Sequence, residues 1–218
     1  ILHKAHETAE KIVSDAKIEA QETKAKIEEL TRKEVGRMLD QSRMTIEQET
    51  KEAEQHLLVL RHIALFQRFG FEAPVDDEAR FISTLVKEAD PSITWARFQS
   101  IIRHHKGRRI LQGKRTLFIV PKALHVYLWL GYWDHYGRGF NFQAFFSQVP
   151  SQLRRWFLEL FIYAHAAPVA SQMVKDILSP TKGPFSDPEF LESEAGTRFL
   201  SYLAEANPSA TLALLEAT

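Results

Sequence analysis

The first sixty residues repeat small or apolar positions at a helical interval. From Ala5 to Leu60 the pattern takes 15 steps over 55 residues, with Glu49 occupying one of the steps. The mean interval of about 3.67 residues is closer to an eleven-residue repeat than to a heptad, and it predicts a straight or weakly right-handed helix. We predict that residues 1–58 form a helical stalk or an oligomerising coiled coil. The alternative is a long solvated helix that packs on a partner outside this chain.

A strongly apolar stretch over residues 56–69 follows this pattern. It predicts that the long helix ends at Gly70, because Pro74 prevents its resumption. Val75 then supplies a short strand. A second helix is predicted over residues 76–88, with its apolar side chains at helical spacing.

The next stretch predicts a third helix followed at once by a tight hairpin. Thr94 is the expected N-cap of a helix over residues 94–105. Short β-rich runs at 110–111 and 117–120 flank a glycine-containing turn at 112–116. The resulting order of helix, strand, helix, turn, helix and hairpin is that of a winged helix.

Residues 122–136 form the next predicted helix, which is apolar nearly all round. We expect it to be buried between the winged helix and the segment that follows, with Trp129 and Trp133 in the core. The winged helix and this helix are assigned to residues 59–136, and residues 137–218 to an α-helical repeat-like bundle. The predicted fold class is therefore mostly α, with one small β-hairpin.

Four helices are predicted in the last segment, over residues 150–164, 167–178, 187–206 and 208–218. Such pairs suggest a helical-repeat array, which normally needs about three repeats and a polar cap. The array looks unfinished, so we expect the natural protein to continue.

Charge is distributed unevenly in a chain whose formal net charge is zero. Residues 1–58 carry ten Lys or Arg against thirteen Asp or Glu, whereas no acidic residue lies between Asp90 and Asp134. The candidate nucleic-acid or partner-binding residues in this basic tract are Arg97, Arg103, Lys106, Arg108, Arg109, Lys114 and Arg115. His104 and His105 are predicted to point to different faces and to cap the helix C-terminus or contact phosphate.

The composition excludes several classes of site. The chain has no cysteine, so disulfides and thiolate zinc sites are impossible, which fits a reducing, cytoplasmic location. No apolar run reaches the roughly 18 residues that a membrane span needs, so no membrane partner is expected. Motifs of the G-x-S-x-G, H-E-x-x-H or glycine-rich phosphate-loop type do not occur. We therefore predict no enzymatic activity and no catalytic, metal-binding or cofactor-binding residues.

Five segments together resemble a known family. They are LRHIALFQRFGF at 60–71, RILQ at 109–112, TLFIVPKAL at 116–124, GPF at 183–185 and GTRFLSYLAEANP at 196–208. They are similar to the region after the nucleotide-binding domain in bacterial STAND-type signalling ATPases. In that family the winged helix packs against the nucleotide domain and a repeat array senses a ligand.

The resemblance covers about residues 60–218 and has one departure from the family. The chain contains no G-x-x-x-x-G-K-[ST] loop, so nothing in it can cradle ATP phosphates in that way. In place of the nucleotide domain stands the long helix. Its segment AEKIVSDAKIEA at residues 9–20 resembles peripheral-stalk subunits of rotary ATPases, a pattern that alanine-, glutamate- and lysine-rich coiled coils share.

Two interpretations of function remain. In the first, the chain is a non-enzymatic regulatory or scaffolding module that binds protein, and the repeat array or the stalk lies across helix 94–105. In the alternative, a coiled coil oligomerises a DNA-binding regulator that places helix 94–105 and the wing at 110–120 on DNA. Trp95 and Phe98 argue against DNA binding, because a recognition helix often carries polar, base-reading side chains at such positions. The objection disappears if the two aromatic side chains face the core.

Overall fold

The computed structural model describes residues 2–179, 181 and 183–217, with side chains at residue 29 and from residue 32 onward except at 195. The fold is mostly helical, as predicted, and a three-stranded antiparallel sheet supplies the β-structure of the described residues. The chain divides into two compact units, Ile1–Glu54 and Gln55–Thr218.

The first unit consists of helix α1 (Leu2–Ile63), which continues into the second unit. The predicted long helix is thereby confirmed. All side chains over 32–54 are exposed, and ion pairs Glu29–Lys33 and Glu34–Arg37 connect successive turns at 2.7 Å. Such pairs each stabilise a helix by only a few tenths of a kcal/mol, on the order of 0.3. The seam positions up to and including Leu30 lie outside the described side chains.

The end of α1 differs from the prediction. The helix stops at Ile63 rather than Gly70, and Phe69–Gly70 forms strand β1. The intervening turn is held by the backbone N–H of Gln67, which donates to the carbonyl of Trp156 at 2.9 Å. The apolar pattern continues past Ile63 because most of the residues that follow are buried in the core, although they form a turn and a strand instead of a helix.

The sheet contains β1, β2 (Leu111–Gln112) and β3 (Thr116–Ile119) in the order β1-β3-β2. Phe69 pairs with Leu117, and Leu111 pairs with Ile119. The predicted strand at Val75 is wrong, because the Val75 N–H donates to the Glu72 carbonyl in a turn. The hairpin is where it was predicted, within one residue at each strand.

Helices α2 (Asp77–Ala89) and α3 (Trp95–Gly107) lie between β1 and the hairpin. Thr94 caps α3 as predicted, since its Oγ1 accepts from the Arg97 N–H at 3.3 Å. Both helices bury one apolar face, which includes Ile82 of α2 and Phe98 of α3. The order of elements and the strand pairing are those of a winged helix.

Helix α4 (Lys122–Tyr136) begins and ends where the sequence predicts. Trp129 and Trp133 are fully buried, which confirms their assignment to the core. Their rings lie 5.6 Å apart, and each is within 6.0 Å of the ring of Phe161. Edge-to-face contacts of this kind add about 0.5–1.5 kcal/mol beyond the area that they bury.

The remaining elements are helices α5 (Phe142–Gln148), α6 (Ser151–Leu158), α7 (Pro168–Ile177), α8 (Pro188–Glu192), α9 (Glu194–Ala206) and α10 (Pro208–Ala217). The 3₁₀ segment Glu159–Ala166 follows α6 and packs against α7 and α9. In this part of the chain α10 packs on α9, as in a helical array.

Three details of this region were not predicted. The helix expected over 150–164 is an α-helix only to Leu158, and no helix was predicted at the position of α5. Ser193 interrupts the helix expected from Asp187 onward, because its Oγ accepts from the Gly196 N–H at 3.0 Å and starts a new helix. Across the residues described here, no helix combines the length and the apolar character that crossing a bilayer requires.

Candidate functional site

The exposed surface of α3 and the tip of the β2–β3 hairpin carry the candidate residues. Ala96, Ser100 and Arg103 form an exposed stripe on α3, at the spacing of one helix face. Phe98 is fully buried, and Trp95 is half-buried with its ring stacked on Phe98 at 5.7 Å. The two aromatic side chains therefore belong to the inner side of α3, and the objection that they raised against nucleic-acid binding does not apply.

The predicted covering of α3 is found on one side only. Near the end of α1, Gln55 contacts Arg97 and the ring of His56 lies against those of His104 and His105. The neighbouring stripe of Ala96, Ser100 and Arg103 remains exposed, so no described element covers it. This open stripe runs toward the hairpin.

Five of the seven candidates are exposed. They are Arg103, Arg108, Arg109, Lys114 and Arg115. Within the described residues, none of these five side chains forms an ion pair with a carboxylate. Their positive charges are therefore available to an external anionic group.

The other two candidates have partners within the chain. Lys106 Nζ lies 2.9 Å from Glu72 Oε1, and the Lys106 side chain is half-buried while that of Glu72 is exposed. Arg97 Nε donates to Gln55 Oε1 at 3.1 Å. Neither partner could be identified from the sequence, because Glu72 and Gln55 are more than thirty residues from the groups that they contact.

The C-terminus of α3 turns sharply at Arg109, which has a φ of 61°. The Ile110 N–H donates to the His105 carbonyl at 3.0 Å, and the Arg109 N–H donates to the Lys106 carbonyl at 3.1 Å. These two bonds form a Schellman motif, in which glycine usually occupies the left-handed position. The helix was predicted over residues 94–105, but it continues to Gly107. An arginine accordingly occupies a backbone conformation that costs about 1 kcal/mol or more for residues with a Cβ.

A three-residue turn over 113–115 joins β2 to β3 and presents Lys114 and Arg115 to solvent. Gly113 has a φ of 120°, and a Cβ at this position would meet the Thr116 carbonyl oxygen. The Arg115 carbonyl accepts from the Phe71 N–H at 2.8 Å, which ties the turn to the segment after β1. The backbone of the wing is thus anchored while its two cationic side chains stay free to reach a ligand.

Three histidines cluster beside this surface. The rings of His104 and His105 are each 5.0 Å from His56 and 5.3 Å from one another. The two side chains lie on different faces of α3, as predicted, since His104 is exposed and His105 is buried. His105 is buried, and neither of its ring nitrogens has a hydrogen-bond partner among the described residues. Burial, together with His56, His104 and Arg108 nearby, lowers the His105 pKa to about 4. A buried, neutral His105 cannot contact phosphate, so the predicted role is wrong for this residue.

Over the described part of the chain, no group of three histidine, aspartate or glutamate residues is placed to hold a metal ion. Comparisons with protein families, curated proteins and solved structures found no match to this chain. The resemblance to STAND-type ATPases therefore stays a prediction. What the geometry offers is an open, positively charged surface that joins a helix to a wing.

Proposed function

We propose that this protein binds double-stranded nucleic acid, without catalysis, through α3 and the β2–β3 wing. One observation carries the proposal: five exposed cations, which form no ion pair with the described carboxylates, lie on α3, at its end and on the β2–β3 turn of a winged helix. A helix of this kind fits the major groove of DNA, where phosphates on either side accept bonds from arginine and lysine.

The side chains divide by position into two roles. Ser100 and Arg103 point outward from α3, so they are the groups that can reach base edges, with arginine suited to guanine. Lys114 and Arg115 at the wing tip contact the backbone or enter the minor groove. Arg108 and Arg109 lie between these regions and contact phosphate. Phosphate contacts should dominate the affinity, and the binding should therefore be steeply salt-dependent.

Titration of a random-sequence duplex with increasing salt tests the proposal. Each phosphate contact contributes about −0.9 to the slope of log affinity against log salt concentration, so the four contacts of Arg108, Arg109, Lys114 and Arg115 predict a slope near −3.6. The test variant replaces Arg108, Arg109, Lys114 and Arg115 by glutamate, which should abolish binding. The control variant reverses four other exposed cations, at Lys51, Lys87, Arg138 and Lys175, and should retain most of the affinity.

The control has the same net charge as the test variant, so the comparison separates local contacts from general charge. Circular dichroism should show both variants folded, because all eight positions are exposed. Equal loss of binding in the two variants, or no binding of the parent protein at low salt, would rule out the proposed interface.

A second candidate function is that of a regulatory or scaffolding module whose basic surface binds an acidic protein. The Lys106–Glu72 ion pair favours it, since this surface already accepts a carboxylate. The resemblance to STAND-type ATPases implies a packing role for the winged helix as well. This function predicts weak duplex binding by the parent protein together with binding to a glutamate-rich peptide. The same four reversals should disrupt that peptide complex.

A further inference from the structure

We propose that the exposed face of α1 binds a second copy of this chain, with the two helices antiparallel and centred on Ile46. The inference does not depend on nucleic-acid binding. It uses only residues 32–54, which belong to the first compact unit. Side-chain exposure, the spacing of apolar positions and the distribution of charge support it independently of one another.

An apolar face without an intramolecular partner extends along this part of α1. Val35, Leu39 and Ile46 are 50%, 61% and 62% exposed, although each is a large apolar residue. At 100° per residue these three positions, with Ser42 and Ala53, fall within a 60° sector of the helix surface. A narrow sector of this kind is the seam of a two-helix contact, and Ser42 and Ala53 allow the two backbones to approach closely.

Charge along the helix distinguishes the two orientations that a pair of copies can take. Residues 32–43 carry four cations and two carboxylates, which gives a net charge of +2. Residues 47–54 carry four carboxylates and one cation, which gives −3. Parallel pairing in register places like segments together, whereas antiparallel pairing places the basic segment of each copy against the acidic segment of the other. The antiparallel arrangement is therefore favoured by charge complementarity.

Glu49 supports the same orientation because it occupies a step of the apolar seam. In a parallel pair it would face its own copy, which is unfavourable for two carboxylates at close range. In an antiparallel pair centred on Ile46, it faces Ser42 of the other copy, and the two copies of Glu49 lie six residues, or about 9 Å, apart along the helix axes. The antiparallel orientation therefore separates the two carboxylates that the parallel one brings together.

Disulfide cross-linking tests the orientation directly, since the chain contains no cysteine. Three single variants are made in the full chain: Leu39→Cys, Ile46→Cys and Ala53→Cys. In the proposed pair residue 46 lies opposite itself and residue 39 lies opposite residue 53. Two copies of residue 39 are separated by 14 residues, or about 21 Å, which is too far for a disulfide.

The expected result is that Ile46→Cys forms a covalent dimer on oxidation, while Leu39→Cys and Ala53→Cys form one only when mixed. Tags of different length on the last two variants identify the mixed product. Self-cross-linking of Leu39→Cys and Ala53→Cys alone would establish a parallel pair and overturn the proposal. Absence of any cross-link would overturn it equally.

Sedimentation of the parent chain and of two substitution variants provides the second measurement. Ile46→Lys places a charge at the centre of the seam and should convert a dimer to a monomer. Met44→Lys is the matched control, because Met44 is 71% exposed on the opposite side of the helix and should leave the mass unchanged. A monomeric parent chain, or a dimer that survives Ile46→Lys, contradicts the proposed surface.

Discussion

The imidazole rings of His56 and His105 lie 5.0 Å apart, with their planes inclined by 71°. One ring comes from the end of α1 and the other from α3, so the contact fixes α3 against the last turns of α1 within the second compact unit. His105 is buried, and neither of its ring nitrogens has a hydrogen-bond partner in the part of the chain that the structure describes. A proton on His105 would place a buried charge next to His56, His104 and Arg108, and the contact should weaken as the pH falls.

Acid should destabilise the second unit between about pH 6.5 and pH 4. The pKa values of His62, His105 and His125 are each lowered by burial from the ordinary value of 6.5 to about 4. The unfolded chain therefore binds more protons than the folded chain in this range, and stability present above pH 6.5 is lost on acidification. Each histidine accounts for about 3 kcal/mol of this loss. Urea denaturation at pH 7.5, 5.5 and 4 measures the effect.

His105→Leu should remove its share of the acid sensitivity, and at pH 7.5 it should leave stability equal or increased by about 1 kcal/mol, because no hydrogen bond is lost. The control Ile102→Val lacks a titratable group and should cost about 1 kcal/mol at every pH. An unchanged pH dependence in His105→Leu would contradict the assignment.

Replacing Glu72 by alanine should strengthen duplex binding. The substitution releases Lys106, which would add one phosphate contact and make the salt slope steeper by about 0.9. Stability should change by less than about 1 kcal/mol, because a partly exposed ion pair contributes little. Glu88→Ala removes an exposed carboxylate from α2 and serves as the control. Equal gains in the two variants would show that net charge, rather than Lys106, is responsible.

Arg109→Gly should stabilise the fold and weaken binding at the same time. Glycine adopts the φ of 61° without steric cost, so the free energy of unfolding should rise by about 1 kcal/mol. The salt slope for duplex binding should become shallower by about 0.9, since one cation is lost. The neighbouring Arg108 has an ordinary φ of −82°. Arg108→Gly should therefore also remove one cation, but it should destabilise the protein instead of stabilising it. Thermal unfolding of both variants measures this difference, and a lower midpoint for Arg109→Gly than for the parent protein would contradict the prediction.

Trp133 should be among the most sensitive positions of the core. Trp133→Ala removes contacts with Trp129, Phe140 and Phe161 and should cost about 3–5 kcal/mol. Trp133→Phe should cost less, because it keeps an aromatic ring and removes an indole N–H that has no hydrogen-bond partner. Denaturation midpoints of the two variants test this order, and a larger loss in Trp133→Phe would contradict it.

Local chemistry made part of this structure predictable. The hydroxyl of Thr94, the apolar circumference of α4 and the glycine in the β2–β3 turn each act within a few residues of their position. The predicted cap at Thr94 and the burial of Trp129 and Trp133 are confirmed, although Tyr127 on another face of α4 is exposed. Cap geometry, burial of large apolar side chains and a positive φ depend little on distant contacts. The five exposed cations belong to the basic tract between Asp90 and Asp134, which is visible in the sequence alone.

Contacts between distant parts of the chain decided the rest. Phe69 and Gly70 look helical by periodicity, but pairing with β3 makes them a strand. The engagement of Lys106 by Glu72 and the packing of His105 against His56 likewise required the folded arrangement. A single sequence indicates which side chains carry charge, whereas the fold determines which of those charges are already neutralised.

The turn over residues 113–115 makes the wing adjustable. Gly113 alone meets the conformational demand of the turn, while Lys114 and Arg115 are exposed and contribute only their backbone to the hairpin. The side chains at positions 114 and 115 can therefore be replaced without disturbing the sheet. A library that keeps Gly113 and randomises positions 114 and 115 would give proteins of one fold with different ligand preferences, so the wing tip is a natural starting point for engineered specificity.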